Sequence, residues 1–156
     1  MPIGSTVRME GPFGKLVLHT DQTRPAVFLS GGIGITPFRS MLVQAAMQQS
    51  SHRMILFYSN RRPEDAPFLD ELQALQATNP RYTFVGTMTE PEKSSLVWQG
   101  ETGYINAALL AKHLANVNKP IYYVVGPPGM VGALRTMLKE ARIDDSDIRT
   151  EKFAGY

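Results

Sequence analysis

Short runs of apolar, β-branched and aromatic residues alternate with longer stretches whose apolar positions repeat every three or four residues. The runs at 26–30, 54–58, 82–85 and 120–125 are nearly continuously apolar, which is typical of strands buried on both faces of a sheet. A further strand is predicted at 147–153. Helices fit between the strands because apolar residues recur there at helical spacing. The helical stripes are Phe38, Met41, Leu42 and Ala45; Phe68, Leu69, Leu72 and Leu75; Leu109, Leu110 and Leu114; and Met130, Leu134, Met137, Leu138 and Ala141.

Strands that alternate with helices predict right-handed crossovers and a parallel sheet covered on both faces. The first residues break this rhythm. Residues 7–10 and 15–18 flank a Gly-Pro-Phe-Gly sequence at 11–14, and strand, turn and strand together predict a β-hairpin. The chain is therefore expected to have two parts, a terminal hairpin at 1–22 and a sheet domain at 23–156.

Two polar residues are placed where a helix begins. Thr36 is predicted to be an N-cap with Pro37 at the first helical position, and Asn106 is predicted to cap a later helix. The polar stretch 87–103 is long for a simple connection, and long loops are often functional or mobile. Trp98, in that stretch, is interpreted as a packing anchor for the loop.

The most informative segment, residues 30–37, reads Ser-Gly-Gly-Ile-Gly-Ile-Thr-Pro. It follows a predicted strand and opens a predicted helix, and its glycines permit a tight turn and close approach of a ligand to the main chain. The amides at a helix start favour an anion such as a pyrophosphate. Pro37 stands where the usual dinucleotide fingerprint has a third glycine, and the Gly-Lys-Ser/Thr of a Walker loop does not occur. A tight turn without a ligand is the alternative interpretation.

The second predicted strand ends in Ser59-Asn60-Arg61-Arg62, where a dinucleotide site would hold the adenosine ribose. An acid at this place binds a free 2′-hydroxyl, whereas arginine accommodates a 2′-phosphate. Since the arginines precede Glu64 and Asp65, the pattern favours NADP(H) over NAD(H). The alternative is that both arginines are simply solvated.

Composition narrows the function classes. Hydrophobic residues make up 43% and charged residues 19% of the 156 positions, and the net charge is +2, too weak to indicate nucleic-acid binding. Cysteine is absent, which excludes a thiol nucleophile or a Cys-ligated cluster in this sequence. His19, His52 and His113 are widely spaced, so we expect no metal site and place them at the surface or at strand edges. The sequence has no apolar run of membrane-span length and no signal peptide, so a cytoplasmic protein is expected.

Taken in order, these motifs resemble the NAD(P)H-binding domain of the ferredoxin–NADP⁺ reductase family of flavoenzymes. The resemblance covers the chain from about residue 25 to its end. The matching motifs are residues 31–37, Tyr58-Ser59-Asn60-Arg61 followed by residues 68–72, Trp98-x-Gly100-x-x-Gly103-x-Ile105, residues 126–130, and Glu151-x-Phe153.

The resemblance implies an α/β fold with a doubly wound five-stranded parallel sheet of order 3-2-1-4-5. Its ligand would lie in the crevice between strands 1 and 4, where the strand order reverses. The predicted hairpin would be the last piece of a flavin-binding β-barrel, whose Arg-x-Tyr-Ser type motif does not occur in this sequence.

The resemblance also implies roles for individual residues. Nucleotide contacts are implied for Gly31, Gly32, Ile33, Gly34, Thr36, Pro37, Ser59, Asn60, Arg61, Gly126, Pro127 and Met130. A place at the reactive centre is implied for Thr36, Glu151 and Phe153, with the Phe153 ring stacked on the flavin. Tyr156 is the alternative source of that ring, and the alternative for Glu151 is the exposed end of an edge strand. Val125 stands where many relatives carry a cysteine.

The expected function is that of the NAD(P)H-binding half of an FAD-dependent oxidoreductase. It would pass hydride from NADPH or NADH to FAD, and electrons onward to an iron–sulfur, haem or similar acceptor protein. FAD would be bound mainly by a separate flavin-binding domain, so this chain alone is expected to be inactive. Two alternatives are a non-catalytic nucleotide-binding or regulatory subunit and a methyltransferase. The arginines after the second strand argue against the methyltransferase.

Overall fold

The structure, a computed structural model, describes residues 2–8, 10 and 16–153. Within this part of the chain one six-stranded sheet is covered by helices. The strands are β1 (Ala26–Gly31), β2 (Met54–Asn60), β3 (Tyr82–Met88), β4 (Glu101–Thr102), β5 (Ile121–Gly126) and β6 (Ile148–Lys152). The helices are α1 (Ile35–Met47), α2 (Leu69–Thr78), α3 (Ala107–Leu114) and α4 (Pro128–Glu140). Short 3₁₀ turns occupy Gly32–Gly34, Pro63–Asp65, Pro91–Lys93 and Asp145–Asp147.

The strand order is β4-β3-β2-β1-β5-β6, and every pairing is parallel. Without β4 this is the predicted order 3-2-1-4-5, so the predicted fold is confirmed with one strand added. The extra strand has two residues, which pair with Thr87 and Met88 at one edge of the sheet. A two-residue strand is too short to produce a recognisable alternation in the sequence.

Neighbouring residues of a strand point to opposite faces, so the sheet has two apolar cores. One core contains Phe28, Leu56 and Tyr123 with side chains from α1 and α2. The other contains Leu29 and Phe57 with side chains from α3 and α4. Because helices cover both faces, β1 and β5 are buried at every position, which accounts for their unbroken apolar sequence.

The two predicted helix caps have different outcomes. Asn106 caps α3 as predicted, since its Oδ1 accepts a hydrogen bond of 2.9 Å from the Leu109 N–H. The Thr36 prediction is wrong, because α1 begins at Ile35 and Gly34 holds the N-cap position without a side-chain bond. The 3₁₀ turn at Gly32–Gly34 runs directly into α1, so the backbone is already helical before Thr36.

Trp98 has the predicted packing role. Its indole N–H donates a 2.7 Å hydrogen bond to the Glu101 carbonyl, and its ring packs against the core beside α2. A Cβ added at Gly86 or Gly100 would overlap the ring. The tryptophan therefore closes the loop that leads into β4.

The predicted hairpin does not form from the described residues. Residues 7, 8, 10 and 16–18 adopt no strand, and the predicted turn at 11–14 lies outside the described residues. Leu16 and Leu18 instead pack against the core beneath α1 and α2.

The prediction that the histidines lie at the surface or at strand edges is wrong for His19 and His52, which are both buried. Nδ1 of His19 is 2.9 Å from the Tyr123 hydroxyl, and the two histidine rings meet edge to face at 4.8 Å. The cluster of His19, His52 and Tyr123 could not be predicted from the sequence, because its members lie far apart in the chain. Across residues 2–8, 10 and 16–153, no helix has the length and apolar character needed to cross a membrane.

Candidate functional site

A cleft of about 830 Å³ opens at the carboxyl ends of β1, β2 and β5. This volume is within the range of roughly 300–1,000 Å³ found for small-molecule and cofactor sites. The position is the point where the strand order reverses, which is where open parallel sheets bind ligands. Seven of the residues predicted to contact a nucleotide line it, namely Gly31, Gly32, Ser59, Asn60, Arg61, Pro127 and Met130.

The first turn, defined as residues 31–34, touches the end of β5. A Cβ added at Gly34 would lie 2.6 Å from the Val125 carbonyl oxygen and 2.8 Å from the Gly126 Cα. Gly32 has φ of +54°, a left-handed conformation that glycine adopts without steric cost. Both glycines are therefore required by the backbone geometry of the turn.

The second turn, residues 126–129, leads from β5 into α4. Pro127 holds the N-cap position of α4 and Pro128 is its first residue, a place that suits proline because no N–H is needed there. The Met130 side chain reaches back to the first turn, where its sulfur would overlap a Cβ added at Gly31. The first residues of α1 and α4 thus meet at one edge of the sheet, and helix N-termini attract anions.

The two arginines after β2 have different surroundings. Arg62 forms a two-pronged hydrogen-bonded ion pair with Asp65, at 2.8 and 2.9 Å, and its Nη1 lies 3.7 Å from Glu64. The hydrogen bond from Arg62 holds the pKa of the Asp65 carboxyl below its usual range. Arg61 is exposed and lines the cleft, and among the described residues it forms no ion pair.

The loop after β3 completes the cleft. The N–H groups of Thr89 and Glu90 donate 2.9 Å hydrogen bonds to the carbonyls of Asn60 and Arg61, which fixes the main chain at the end of β2. Thr89, Glu90, Lys93 and Tyr104 all line the cleft, and Tyr104 is 77% exposed. None of these four residues was predicted from the sequence to take part in the site. The only signal for Thr89, Glu90 and Lys93 was the length and polarity of the 87–103 stretch, and Tyr104 lies one residue beyond it.

The other predicted site residues lie in or next to the two turns and do not line the cleft. Ile33 and Gly34 complete the first turn, Thr36 and Pro37 follow it in α1, and Gly126 begins the second turn. Glu151 pairs with Val125 across β5 and β6, and the Phe153 N–H donates to the Gly126 carbonyl at 3.2 Å.

The Phe153 ring packs on the α1–α2 side of the sheet, whereas Met130 and Leu134 of the cleft pack on the α3–α4 side. Phe153 thus approaches the second turn from the opposite face. The alternative aromatic, Tyr156, lies outside the described residues.

A second cavity, of about 810 Å³, lies beside Phe84, Trp98 and Glu101 and contains none of the predicted site residues. Over the described part of the chain, no group of three or more acidic or histidine side chains is placed to hold a metal ion.

Comparisons with known proteins agree with this architecture. A family model described as "oxidoreductase NAD-binding domain" matches residues 28–136. One subunit of the Na(+)-translocating NADH-quinone reductase of Methylococcus capsulatus is 31% identical over 156 residues, which cover 97% of this chain and 38% of that protein. The chain thus spans less than two fifths of the length of this curated relative.

Solved structures share the fold. A flavohemoglobin from Malassezia yamatoensis with bound FAD and heme superposes with a TM-score of 0.78 at 24% identity, over 92% of this chain and 36% of the other. An Amycolatopsis cytochrome P450 reductase superposes with a TM-score of 0.77 at 23% identity, over 92% and 42% of the respective chains. These neighbours confirm the resemblance to reductase nucleotide domains at the level of the fold.

Proposed function

Since the chain belongs to the oxidoreductase NAD-binding domain family, we propose that it binds NADH in the cleft and presents the nicotinamide to a flavin held by another domain. One observation carries this proposal. The first and second turns are in contact, because Gly34 leaves no room for a Cβ against Val125 and Gly126. A dinucleotide whose phosphates rest on the first turn therefore has its reactive end beside the second.

The cleft suits a ligand with two phosphates. A Cβ added at Gly32 or Gly129 would meet no protein atom within 4 Å, so both backbones face open space in the cleft. The main chains of Gly32 and Gly129 line the cleft, and Arg61 adds positive charge at its wall, where Lys93 is paired with Glu90 at 3.2 Å. Main-chain amides and cations together are the usual partners of a pyrophosphate.

The surroundings of Arg62 support NADH rather than NADPH, in contrast to the interpretation from the sequence. A 2′-phosphate would have to compete with Asp65 for the Arg62 guanidinium. A free ribose hydroxyl would instead donate a hydrogen bond to a carboxylate there. The M. capsulatus relative carries NADH in its name.

On the other side of the second turn, we propose that Phe153 and Glu151 face the flavin. NADH supplies a hydride and the flavin, FAD, accepts it. The Phe153 N–H donates to the Gly126 carbonyl of the second turn, which supports a role in which its ring covers the nicotinamide pocket until the nucleotide enters. Thr36 is exposed on the first turn of α1, the helix that covers the same face of the sheet as the Phe153 ring. The electrons then pass to an iron–sulfur, haem or similar acceptor protein, and the chain without FAD is inactive.

Titration calorimetry of the chain with NADH, NADPH and S-adenosylmethionine tests the nucleotide part of the proposal. We expect NADH to bind more tightly than NADPH, and S-adenosylmethionine not to bind. Asp65→Asn should release Arg62 and improve NADPH binding several-fold, while Arg53→Ala, a cation at the other end of β2, should change neither affinity. Tighter binding of NADPH by the unchanged chain would contradict the preference, and absence of NADH binding would contradict the function.

The flavin part needs a complex with a flavin-binding domain. Removing residues 153–156 should alter the rate of flavin reduction by NADH measured in a stopped-flow instrument. An unchanged rate would favour the alternative of a non-catalytic nucleotide-binding subunit.

A further inference from the structure

Tyr58 lies beneath the first turn and is fully buried. Its hydroxyl is 3.2 Å from the Gly32 carbonyl oxygen and 3.1 Å from the Pro67 carbonyl oxygen. Both neighbours are acceptors, so the phenol must be the donor and its single proton is shared between them. Burial raises the pKa of this hydroxyl, which keeps the proton in place at neutral pH.

The Gly32 carbonyl has a second donor as well. The Ile35 N–H points to it as the 3₁₀ turn closes into α1. Two donors on the inner side therefore hold this carbonyl toward the protein. Because a trans peptide is planar, the N–H of the next residue points in the opposite direction from the carbonyl. The Ile33 N–H is thus aimed away from Tyr58. Ile33 itself is 40% exposed.

Glycine makes this orientation reversible. The Gly32–Ile33 peptide rotates through ψ of Gly32 and φ of Ile33, and glycine, which has no Cβ, restricts its own ψ less than other residues do. A rotated peptide would present a carbonyl oxygen to the cleft, where it would repel a phosphate. The Tyr58 hydroxyl is the one side-chain donor to this carbonyl among the described residues.

We propose that Tyr58 is a positioning residue, which holds the Gly32–Ile33 peptide so that the Ile33 N–H faces the pyrophosphate of the bound nucleotide. This inference rests on the proposed function. In this role Tyr58 does not touch the ligand. It affects the affinity of the first turn for phosphate through its hydrogen bond to the Gly32 carbonyl.

The hydrogen bond from the Tyr58 hydroxyl to the Pro67 carbonyl suggests a competing explanation, in which Tyr58 has only a structural role. Pro67 precedes Phe68, which has φ of +60° and holds the N-cap position of α2. Arg39 of α1 stacks on the Phe68 ring at 4.5 Å and pairs with Glu71 at 2.8 Å. Loss of the Tyr58 hydroxyl could therefore loosen α2 without affecting the turn, so the test needs a readout that depends on phosphate.

The test compares Tyr58→Phe with Tyr82→Phe in the full 156-residue chain. Both changes remove one buried hydroxyl from a strand, but among the described residues the Tyr82 hydroxyl has no hydrogen-bond partner. For Tyr58→Phe we expect the Kd for NADH and for ADP-ribose to rise about three- to tenfold, the effect of one hydrogen bond. Binding of adenosine, which lacks phosphate, should not change, and Tyr82→Phe should leave all three affinities as they are.

A second measurement addresses the peptide itself. Gly32→Ala has room for its Cβ but disfavours φ of +54°, so it should weaken NADH binding by disturbing the same peptide. The double variant with Tyr58→Phe should bind no more weakly than the weaker single variant, because both act on one group.

Several outcomes would overturn the inference. Unchanged NADH affinity in Tyr58→Phe would do so while leaving the proposed function standing. So would equal losses for adenosine and ADP-ribose, or fully additive effects in the double variant. A wild-type chain that binds neither NADH nor ADP-ribose would contradict the proposed function and this inference together.

Discussion

The two ends of the sheet treat their polar groups in different ways. At the amino ends of β1 and β5 the groups bond to one another: the His19 N–H and Nδ1 both meet the Tyr123 hydroxyl, and Arg24 binds the Lys119 carbonyl and Asp147. At the carboxyl ends the glycine backbones of the two turns and Arg61 face a cleft. At their amino ends, the closed end, these strands thus carry polar groups that are bonded to one another, whereas at their carboxyl ends, the open end, they carry groups that face a cleft. The polar groups at the first end bond within the protein, whereas the second end is the one proposed to bind the ligand.

The strongest test of this difference between the two ends is Gly34→Ala, for which we expect the largest effect. The new Cβ would meet main-chain atoms of Val125 and Gly126, which cannot move aside without shifting β5. We expect a loss of about 3 kcal/mol in the free energy of unfolding, at the upper end of overpacking costs, and loss of NADH binding. Urea denaturation and calorimetry measure the two.

Gly132→Ala is the matched control. Gly132 lies within α4, where a Cβ has open space, so alanine should stabilise the chain by up to about 1 kcal/mol. If Gly34→Ala behaved like Gly132→Ala, the contact between the two turns would be refuted.

Tyr123→Phe probes the closed end and comes next in size. Removing the hydroxyl leaves the buried His19 N–H without its acceptor, which costs about 1–3 kcal/mol. The NADH affinity of the folded protein should be unchanged, because Tyr123 does not line the cleft. A weaker Kd measured well below the melting temperature would show that the two ends are coupled.

Gly31→Ala tests the open end more gently than Gly34→Ala. Its Cβ would overlap the sulfur of Met130, the far part of a flexible side chain. Forcing that side chain away from its preferred rotamer should cost about 0.5–1.5 kcal/mol. Combining Gly31→Ala with Met130→Ala should recover most of the loss caused by Gly31→Ala, as read from the thermal melting of the four chains of the cycle. Additive losses would show that the clash involves the backbone.

The smallest effect is a pH dependence from the closed end. Burial, with the nearby His19, lowers the pKa of His52 below its ordinary 6.5. The unfolded chain therefore binds a proton at His52 more readily than the folded chain does. The contribution of His52 to stability is complete above about pH 6.5 and is lost as the pH falls from there toward the lowered pKa. Melting temperatures between pH 5 and 8 should show a shallower acid decline for His52→Gln, and equal slopes would contradict a role for this histidine.

Local patterns in the sequence predicted most of the sheet. Continuous apolar runs located β1, β2 and β5 to within a residue or two, because burial on both faces leaves a strong signal. The parallel sheet followed from crossover rules, and the order of five strands followed from the family resemblance alone. The sixth strand was missed because two residues carry no periodicity.

The site was predictable only where main chain defines it. Glycines marked both turns, and at Gly32 and Gly34 of the first turn the backbone geometry requires them. Sequence spacing does not reveal which side chains meet after folding. It therefore could not predict the pairing of Arg62 with Asp65 or the burial of His19 against Tyr123. The hydroxyl of Tyr58 was hidden for a further reason, because an aromatic residue in a buried strand is fully explained by packing.

The two outermost strands have a consequence for how the molecules behave in concentrated solution. β4 offers only two residues for pairing, and β6 carries Arg149, Glu151 and Lys152 within its five. Short and charged outer strands are the devices by which natural sheets discourage another chain from adding a strand. Within the part of the chain that the structure describes, neither outer strand therefore offers a long apolar edge on which another chain could extend the sheet.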